Sequence, residues 1–515
     1  MRWSNAFLAL ATWASTIEAI EEEDLLSQES SLGIHIGGLP PSCSFWASAN
    51  LTELSTKLSP GADIYLPGSG SFNSLSKRWS ELQIPQVNVT VSPATENDVV
   101  QTVKWANKYR VPFLVFNGVH GAITTLGQMD CGVNIAVEKL SGVTVASSGT
   151  TATILGGTKS KVVTDSLWAA NKQTVTGTCE CVSYLGPALG GGHGWLQGYY
   201  GLVADQFVSV NIVLSDGTLK TITPTSDLWW AVKGAGHNFG IVTSVKVKIY
   251  PATHKQWAIE TLMFTGDKVQ AVYQAANDYL LQNGTQPVGV INWSYWFNIP
   301  DFDGPVIAFY IIQEGTSVNP VYTAPFHALG PFSIEPQAGD YRDLARWTGI
   351  DLAAPPCQKG NLANPRFPVY LPRYNPTAQQ TIYNIFKTAT NTSSPFYNSL
   401  FMFEGYSTQG VKAVPSASTA FAWRSDNLLV APLIQYTPGP GLDAAAKALG
   451  NQLRDVLEAG AGYTTPHAYV NYAYGDEGNK GWYGAELWRQ AKLKLLKAKY
   501  DPLGRFSFFG GITLP

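Results

Sequence analysis

Between residues 177 and 194 the chain reads Gly-Thr-Cys-Glu-Cys-Val-Ser-Tyr-Leu-Gly-Pro-Ala-Leu-Gly-Gly-Gly-His-Gly. Glycine at this density lets a backbone approach a ligand closely and turn its N–H groups toward an anion such as a pyrophosphate. A Rossmann fold would place such glycines at the start of a βαβ unit, with an acidic residue about twenty positions later. Here they lie in mid-domain without that sequel, so the stretch does not indicate a nicotinamide dehydrogenase.

The two cysteines of this stretch, Cys179 and Cys181, are separated by a single residue. This spacing is not that of a zinc knuckle, and no second closely spaced pair of cysteines occurs in the sequence. The sequence therefore predicts no metal site here.

Upstream of the glycines the sequence alternates between strand and helix patterns. Val87–Val91 is typical of a strand, and Thr95 with Asp98 forms a capping-box pattern at the start of a helix. A second strand, Pro112–Phe116, leads directly into the turn Asn117-Gly118-Val119-His120. These elements predict a βαβ unit whose second strand ends in a glycine-containing turn.

Downstream, the pattern changes at Pro251. Before it, strands are predicted at Val208–Leu214, Leu219–Ile222 and Ile241–Tyr250, the first two joined by a hairpin turn. After it come an amphipathic helix and two aromatic strands, followed by two Pro-rich stretches and a C-terminal helix: Asp267–Gln282, Val290–Phe297, Val306–Ile312, 355–375, 432–440 and Glu486–Tyr500. The Pro-rich stretches are interpreted as surface loops, and the whole indicates a separate α+β lobe.

Length and charge narrow the class of protein. A chain of 515 residues exceeds what one core usually organises, so two lobes are expected. The net charge of −3 comes without a basic stripe, which argues against a nucleic-acid partner. Beyond the N-terminus no apolar stretch is long enough to span a bilayer, so no membrane partner is expected.

The N-terminus has the pattern of a secretory signal peptide. Arg2 precedes the short apolar run Ala6–Ala14, and Ile17-Glu18-Ala19 resembles a small-residue cleavage site. Five N-x-S/T sequons agree with this interpretation and predict glycosylation: Asn50, Asn88, Asn283, Asn292 and Asn391. The expected location is the secretory pathway, with an extracellular, vesicular or vacuolar destination. Five cysteines are an odd count for a secreted chain, so at least one is unpaired or otherwise engaged.

The stretch 177–194 resembles the flavin-attachment segment of the berberine bridge enzyme-like family, in its fungal form. This family belongs to the vanillyl alcohol oxidase superfamily and has a PCMH-type FAD-binding domain. Cys179 aligns with the cysteine that the family joins to flavin C6, and Ser183 replaces a usual glycine. The other positions in register are Val182, Gly186, Gly190, Gly191, Gly192 and Gly194, and the resemblance implies that they bind the cofactor.

The family's second anchor is a histidine that ends an Arg-Ser-Gly-Gly-His turn and is bonded to the flavin 8α carbon. Here the turn reads Phe116-Asn117-Gly118-Val119-His120, followed by Gly121, so the histidine and one glycine are kept. The resemblance implies that His120 is the second anchor, and the alternative is a hydrogen-bonded structural histidine. Further matches imply cofactor contacts at Asn117, Gly118, Val119, Gly121, Gly240, Ile241, Val242 and Asn471.

The resemblance also implies a fold and its division. The fold class is α+β, with a two-lobe PCMH-type FAD-binding domain and an antiparallel-sheet substrate domain backed by helices. The expected divisions are a signal peptide at 1–19, an N-terminal segment at 20–79, the FAD-binding domain at 80–252, the substrate domain at 253–460, and a segment at 461–515 that returns to the FAD lobe.

The pattern of the family breaks where a catalytic base is expected. One subgroup carries a glutamate on the strand after a Phe-Pro-His-Arg segment, which here reads Phe421-Ala422-Trp423-Arg424. The following strand, Leu428–Tyr436, contains no carboxylate. Tyr472 and then Tyr436 are the candidate bases, and a phenol with a pKa near ~10 would have to be acidified to act as one. The family's N-terminal disulfide also lacks its second cysteine, which leaves Cys43 either paired with Cys131 or free.

Together these features predict a secreted FAD-dependent oxidase whose flavin is bonded to both His120 and Cys179. It would take hydride from a small organic substrate, of the polyketide or alkaloid type in a fungal pathway, and dioxygen would reoxidise the flavin to give peroxide. The alternatives are an oxidative or redox-neutral cyclase, a carbohydrate oxidase, and a flavin-binding protein with a degenerate site.

Overall fold

The structure is a computed structural model that describes residues 41–118, 120–282 and 284–514. The predicted signal peptide, Val119 and the sequon Asn283 lie outside the described residues.

The predicted βαβ unit forms the first sheet. Its strands are β1 (Asp63–Tyr65), β2 (Val87–Ser92), β3 (Phe113–Phe116) and β4 (Gly132–Ala136), in the order β1-β2-β4-β3. Both β2 and β3 run parallel to β4, and the helix Glu96–Lys108 connects them. Thr95 and Asp98 form the predicted capping box at the start of that helix.

A second, antiparallel sheet follows in the chain. It consists of β5 (Val143–Val145), β6 (Thr151–Leu155), β8 (Phe207–Val213), β9 (Leu219–Ile222) and β10 (Ile241–Lys248), in the order β5-β6-β10-β8-β9. A two-stranded ribbon of β7 (Lys172–Gln173) and β11 (Tyr250–Pro251) lies beside it. The predicted hairpin is confirmed, since β8 and β9 pair antiparallel.

The third sheet is antiparallel throughout. Its strands are β12 (Gln256–Phe264), β13 (Val290–Phe297), β14 (Val306–Glu314), β15 (Ser333–Asp340), β16 (Val369–Leu371), β17 (Leu400–Gly405) and β18 (Leu428–Leu433), in the order β15-β12-β14-β13-β17-β18-β16. Side chains alternate between its faces. On β17, Phe401 and Phe403 pack into the helix-covered core, while Met402 and Glu404 line a cavity on the other face.

Fifteen α-helices surround these sheets in the described part of the chain. They are α1 (Leu51–Ser55), α2 (Gly70–Ser76), α3 (Glu96–Lys108), α4 (Ser160–Ala169), α5 (Leu185–Leu189), α6 (Gln197–Tyr200), α7 (Trp229–Val232), α8 (Val269–Ala275), α9 (Pro320–His327), α10 (Leu344–Trp347), α11 (Pro376–Ala389), α12 (Gln409–Lys412), α13 (Leu442–Ala461), α14 (Gly478–Tyr483) and α15 (Leu487–Tyr500). A π-helical turn, Ala276–Leu281, continues α8, so the predicted amphipathic helix is one continuous helical segment. Helices α8, α11 and α13 bury their apolar sides against the third sheet.

Short 3₁₀ helices complete the described elements. They are Pro41–Ala47, Thr124–Gln128, Val137–Lys139, Val203–Gln206, Gly236–Asn238, Gly266–Lys268, Tyr341–Asp343, Pro355–Cys357 and Ser416–Ser418. None of the described helices is both long and apolar enough to cross a membrane.

The interpretation of 355–375 as a surface loop is wrong. Residues 363–371 are buried, and they include β16, which pairs with β18 at the edge of the third sheet. Phe367 and Val369 are fully inaccessible to solvent. The prolines of this segment therefore do not place it at the surface.

Two disulfides account for four of the five cysteines. Cys43 is bonded to Cys131, and Cys181 is bonded to Cys357, across sequence separations of 88 and 176 residues. Cys179 is buried, and it is the free cysteine of the described chain.

Candidate active site

A large cavity lies between the glycine-rich segment and the inner face of the third sheet. Its volume is ≈ 1520 Å³, above the range of roughly 300–1,000 Å³ that is usual for one small ligand. The strand ends of the first two sheets line one part and β13, β14 and β17 line another. The cavity therefore has room for a cofactor together with a substrate.

Both predicted anchors line this cavity. The ring of His120 packs on Trp79 with centroids 4.7 Å apart, and its Nε2 lies 2.6 Å from the carbonyl oxygen of Pro356. Because a carbonyl can only accept, Nε2 carries the proton and Nδ1 keeps its lone pair. Burial, with a smaller contribution from the charge of Arg366, lowers the pKa of His120 to about 3, so the ring is neutral.

Cys179 lies close to His120, since the side-chain nitrogen and sulfur atoms of His120, Cys179 and Cys181 lie within 4.8 Å of one another. The three do not form a metal site, because the sulfur of Cys181 is bonded to Cys357. The Cys179 sulfur lies 3.5 Å from that of Cys181 and 3.6 Å from that of Cys357. Burial raises the pKa of Cys179 to about 12, so in this environment it is a thiol.

The turn before His120 packs against the glycine-rich segment. Gly118 has φ +87°, and a Cβ there would lie 3.1 Å from the backbone nitrogen of Ser183, so the position requires glycine. The amide of Asn117 donates to the Gly156 carbonyl over 2.6 Å, while its Oδ1 is buried without a partner among the described residues. Asn117 and Gly121 line the cavity.

Four of the glycines predicted to bind the cofactor pack against other parts of the chain. Gly190, Gly191, Gly192 and Gly194 do not line the cavity. A Cβ at these positions would collide with Asn471, Phe421, Val203 and Thr176 respectively, so they allow close packing of chain against chain. Of the other predicted cofactor positions, the following line the cavity: Val182, Gly186, Gly240, Ile241, Val242 and Asn471, the last donating to the Pro187 carbonyl over 2.9 Å.

The prediction that Tyr436 is a base over the flavin is wrong. Its side chain lies in the core on the helix-covered face of the third sheet, and the residue is 2% exposed. Its hydroxyl donates to Asp443 over 2.7 Å. The neighbouring Gln435 lines the cavity instead, since consecutive residues of an extended chain face opposite sides.

Tyr472 does line the cavity, but not as an acidified phenol. Its hydroxyl donates to Oε1 of Glu404 over 2.9 Å, and that of Tyr406 donates to Oε2 over 2.8 Å. Burial and the Glu404 charge raise the pKa of Tyr472 well above its ordinary value. A buried carboxylate thus lies on β17, the strand that pairs with Leu428–Leu433, and the sequence analysis did not single it out.

Glu404 is 2% exposed and has opposing influences on its ionisation. Burial raises its pKa, while the hydrogen bonds from Tyr406 and Tyr472 and the charge of Arg366 act to lower it. The net shift is upward, so this carboxylate holds a proton more readily than a free glutamate does.

Cations surround the position at which the family's turn has arginine. Arg78 lies 4.2 Å and Lys359 lies 5.0 Å from the centroid of the Phe116 ring, and Arg78 lines the cavity. Two cations distant in sequence thus lie beside Phe116, the residue at the position of the family's arginine.

One predicted glycosylation site is wrong. Asn292 lies within β13, is 1% exposed, and donates from its amide to the Tyr310 carbonyl over 3.0 Å, so no glycan can be attached in the folded protein. Asn391 and Asn50 are exposed, although Asn50 caps α1, and Asn88 is half-buried on β2.

The residues around the cavity fit FAD. The two candidate anchors lie side by side, and the buried acceptor of Asn117 and Nδ1 of His237 have no partner within the described residues. Burial also lowers the pKa of His237 to about 4, which keeps its ring neutral beside a cofactor.

Fold and site together define a flavoprotein of the PCMH type. A family model for an FAD binding domain matches residues 87–223. FAD-linked oxidoreductase chyH of Penicillium rubens is 58% identical over 480 residues, which cover 92% of this chain and 96% of the relative. The chain belongs to the fungal FAD-linked oxidoreductases of the berberine bridge enzyme-like family, and it is an enzyme of that class.

Solved structures share the fold at low sequence identity. Physcomitrella patens BBE-like 1 superposes with a TM-score of 0.77 at 20% identity, covering 90% of this chain and 99% of that protein. A chitooligosaccharide oxidase superposes with a TM-score of 0.74 at 20% identity, covering 92% and 100%. The predicted family and fold class are confirmed.

Proposed function

We propose that this protein is an oxidase that carries FAD bonded to both His120 and Cys179, takes hydride from a small organic substrate and passes electrons to dioxygen. The observation that carries the proposal is the hydrogen bond from Tyr472 to Glu404, in the same cavity that both anchors line. When bound, FAD supplies the hydride acceptor. The chain supplies orientation, a cavity with apolar walls and a proton acceptor.

The anchors suit a permanent attachment. His120 is neutral and presents the lone pair of Nδ1, because Nε2 donates to Pro356. The sulfur of Cys179 lies beside it and is in no disulfide. A doubly attached cofactor cannot dissociate outside the cell, where free FAD is scarce.

Tyr472 and Glu404 act as a concerted proton relay. The substrate O–H or N–H gives its proton to the Tyr472 oxygen while the Tyr472 proton moves to Glu404. No free phenolate forms, which agrees with a phenol whose pKa is raised. Tyr406 holds the second oxygen of Glu404 and so orients the carboxylate.

The substrate proposed is a polyketide- or alkaloid-type fungal metabolite. Trp293, Tyr295 and Met402 give the cavity the apolar, aromatic side walls that such a molecule needs. A carbohydrate oxidase is the second candidate, because the fold is that of a chitooligosaccharide oxidase and tryptophans can stack on sugars. A cyclase in the same pathway is a third, and a flavin-binding protein with a degenerate site is a fourth.

Anaerobic mixing separates these candidates. Polycyclic phenols, alkaloid-type amines and oligosaccharides are each mixed with the protein, and the flavin absorbance near 450 nm is followed. An oxidase bleaches with its substrate and regains colour when oxygen is admitted. A redox-neutral cyclase converts its substrate without bleaching, and a binding protein does neither.

Acid denaturation tests the double attachment. We expect the yellow colour to stay with the precipitate, and peptide masses to place the flavin on one peptide with His120 and one with Cys179. Flavin released into the supernatant would show that the attachment is not covalent.

Secretion is proposed with cleavage after residue 19, and the two disulfides support it because they persist in oxidising compartments. In a secretory host, we expect glycan on the Asn391 peptide and none on the Asn292 peptide. Unmodified Asn391 in secreted protein would contradict this.

We also propose that residues 80–252 and 461–515 together form the FAD lobe and that residues 253–460 form the substrate lobe. The match of the FAD-binding family model to residues 87–223 supports this division.

A further inference from the structure

Arg366 lies deep in the cavity, between the candidate anchor His120 and the pair formed by Tyr472 and Glu404. It precedes β16 in the chain, and the residue is 5% exposed. The guanidinium carbon lies 4.6 Å from the ring centroid of Trp79 and 4.5 Å from that of Tyr472. Trp79 packs on the anchor His120, and Tyr472 donates to Glu404, so Arg366 connects the anchor to the proton relay.

Among the described residues, no carboxylate forms an ion pair with Arg366, although its charge acts on Glu404. No hydrogen bond or ion pair joins its guanidinium to any residue that the structure describes, and its Nε is buried without a partner. Buried arginines are normally paired. Arg424, equally buried, donates from both terminal nitrogens to Asp205 over 2.9 and 2.8 Å. Arg366 is therefore a positive charge that the fold holds open toward the cavity.

The two ring contacts leave the N–H groups of the guanidinium available to a ligand. An aromatic ring attracts a cation through its π face, and neither Trp79 nor Tyr472 accepts a hydrogen bond from Arg366. The planar edge of a guanidinium matches a group with two oxygens, such as a carboxylate, which accepts two parallel hydrogen bonds. The ring contacts also restrain the side chain before a ligand arrives, so less side-chain entropy is lost on binding.

We propose that Arg366 is the substrate-binding cation of this site and that the substrate carries a carboxylate, or a similarly delocalised oxyanion, beside the carbon that is oxidised. The proposal rests on the proposed function, since it names the substrate class of the same cavity. An anion bound at Arg366 lies next to Tyr472, so the reacting O–H or N–H of the same molecule reaches the proton relay. The charge of Arg366 also acts on Glu404, so occupancy by an anion and proton acceptance are coupled.

The test uses two probes of nearly the same shape, the anion 2-naphthoate and the neutral 2-naphthamide, titrated into the flavin-loaded protein by calorimetry. We expect the wild type to bind naphthoate at least about thirtyfold more tightly than naphthamide, as for a desolvated charge pair. Arg366→Met should remove this preference and leave naphthamide unchanged. The control is Arg346→Met, which removes another arginine of the cavity lining whose side chain is 59% exposed and already paired with Asp343.

A wild type without preference, or an Arg366→Met variant that keeps it, overturns the proposal. Arg366 could instead stabilise negative charge on the flavin. The binding of sulfite to the flavin is therefore measured on the same proteins. Sulfite binding that weakens in Arg366→Met while naphthoate binding does not change also overturns it. If the methionine variant fails to fold, Arg366→Lys replaces it in the test. The lysine keeps the positive charge, so this variant should keep part of the preference for naphthoate.

The same data separate the two proposals. The preference for naphthoate could depend on Arg366 while no substrate bleaches the flavin. That result would support the anion site and refute the oxidase proposal. Bleaching by a neutral substrate at a rate that Arg366→Met does not change would leave the oxidase standing and refute the anion site.

Discussion

Nε2 of His120 lies 2.6 Å from the carbonyl oxygen of Pro356. The next residue, Cys357, is bonded to Cys181, and the Cys357 sulfur lies 3.6 Å from that of Cys179. One short 3₁₀ turn, Pro355–Cys357, thus contacts both candidate anchors. It holds the proton on Nε2 of His120, which leaves Nδ1 as the nucleophilic nitrogen.

Loss of this disulfide should reduce flavin attachment at the histidine. In the double variant Cys181→Ala and Cys357→Ala the turn is no longer tied to the glycine-rich segment, so the Pro356 carbonyl no longer fixes the tautomer of His120. We expect the flavin on the His120 peptide to fall several-fold, measured by peptide mass after acid denaturation.

The matched control removes the other disulfide, Cys43→Ala with Cys131→Ala. Each disulfide contributes about 2–4 kcal/mol to stability, so both double variants are destabilised to a similar degree. Equal flavin on the His120 peptide in the two double variants would refute the positioning role of the turn.

Substitution of the two tyrosines predicted as bases, Tyr472 and Tyr436, should have very different effects on the rate of flavin reduction. Tyr472→Phe removes the relay to Glu404, and we expect the rate of flavin reduction to fall about 10²–10⁴-fold, as for loss of general base catalysis. Tyr436→Phe removes a hydroxyl on the far face of the sheet, and we expect that rate to stay within about threefold of the wild type. Anaerobic stopped-flow measurement decides, and a similar loss in both variants would contradict the assignment.

The fold was predictable wherever its signals are local. Val87–Val91 and Val290–Phe297 have strand composition, and the capping box at Thr95 lies within four residues, so these elements could be located without tertiary information. The resemblance in the glycine-rich segment then supplied the family.

The missed residues depend on contacts across the fold. Glu404 lies in the apolar strand Leu-Phe-Met-Phe-Glu-Gly, and a lone carboxylate in such a run is a signal that could have found it, since unpaired buried glutamates are rare. Arg366 lies in the Pro-rich stretch 355–375, whose composition is typical of a surface loop. The bond between Cys181 and Cys357 spans 176 residues, and no sequence pattern specifies such a pairing.

The glycine-rich segment illustrates a different limit. A sequence shows that a position is glycine but not whether the backbone meets a ligand or another part of the chain. Gly186 lines the cavity, whereas Gly192, six residues later in the same segment, packs on Val203.

Gly192→Ala should therefore destabilise the fold. The Cβ would lie 2.7 Å from Cβ of Val203, in a backbone conformation that disfavours alanine. We expect a loss of about 2–4 kcal/mol in the free energy of unfolding, from overpacking and left-handed strain together. The control is Gly441→Ala, which has φ +74° and no atom within 4 Å, so it reports the strain alone. Equal losses in thermal unfolding would show that Val203 does not restrict position 192.

The pH dependence of flavin reduction should report Glu404. Its pKa is raised by burial above the ordinary value of 4.5, and it accepts a proton only when ionised, so the rate should rise with pH through that raised pKa and fall below it. Glu404→Gln should remove this inflection and lower the plateau about 10²–10⁴-fold. Tyr406→Phe removes a hydrogen bond that lowers the pKa of Glu404, so it should move the inflection to higher pH while the plateau changes little. An inflection that survives in Glu404→Gln would assign the titration, and with it the proton acceptor, to another group.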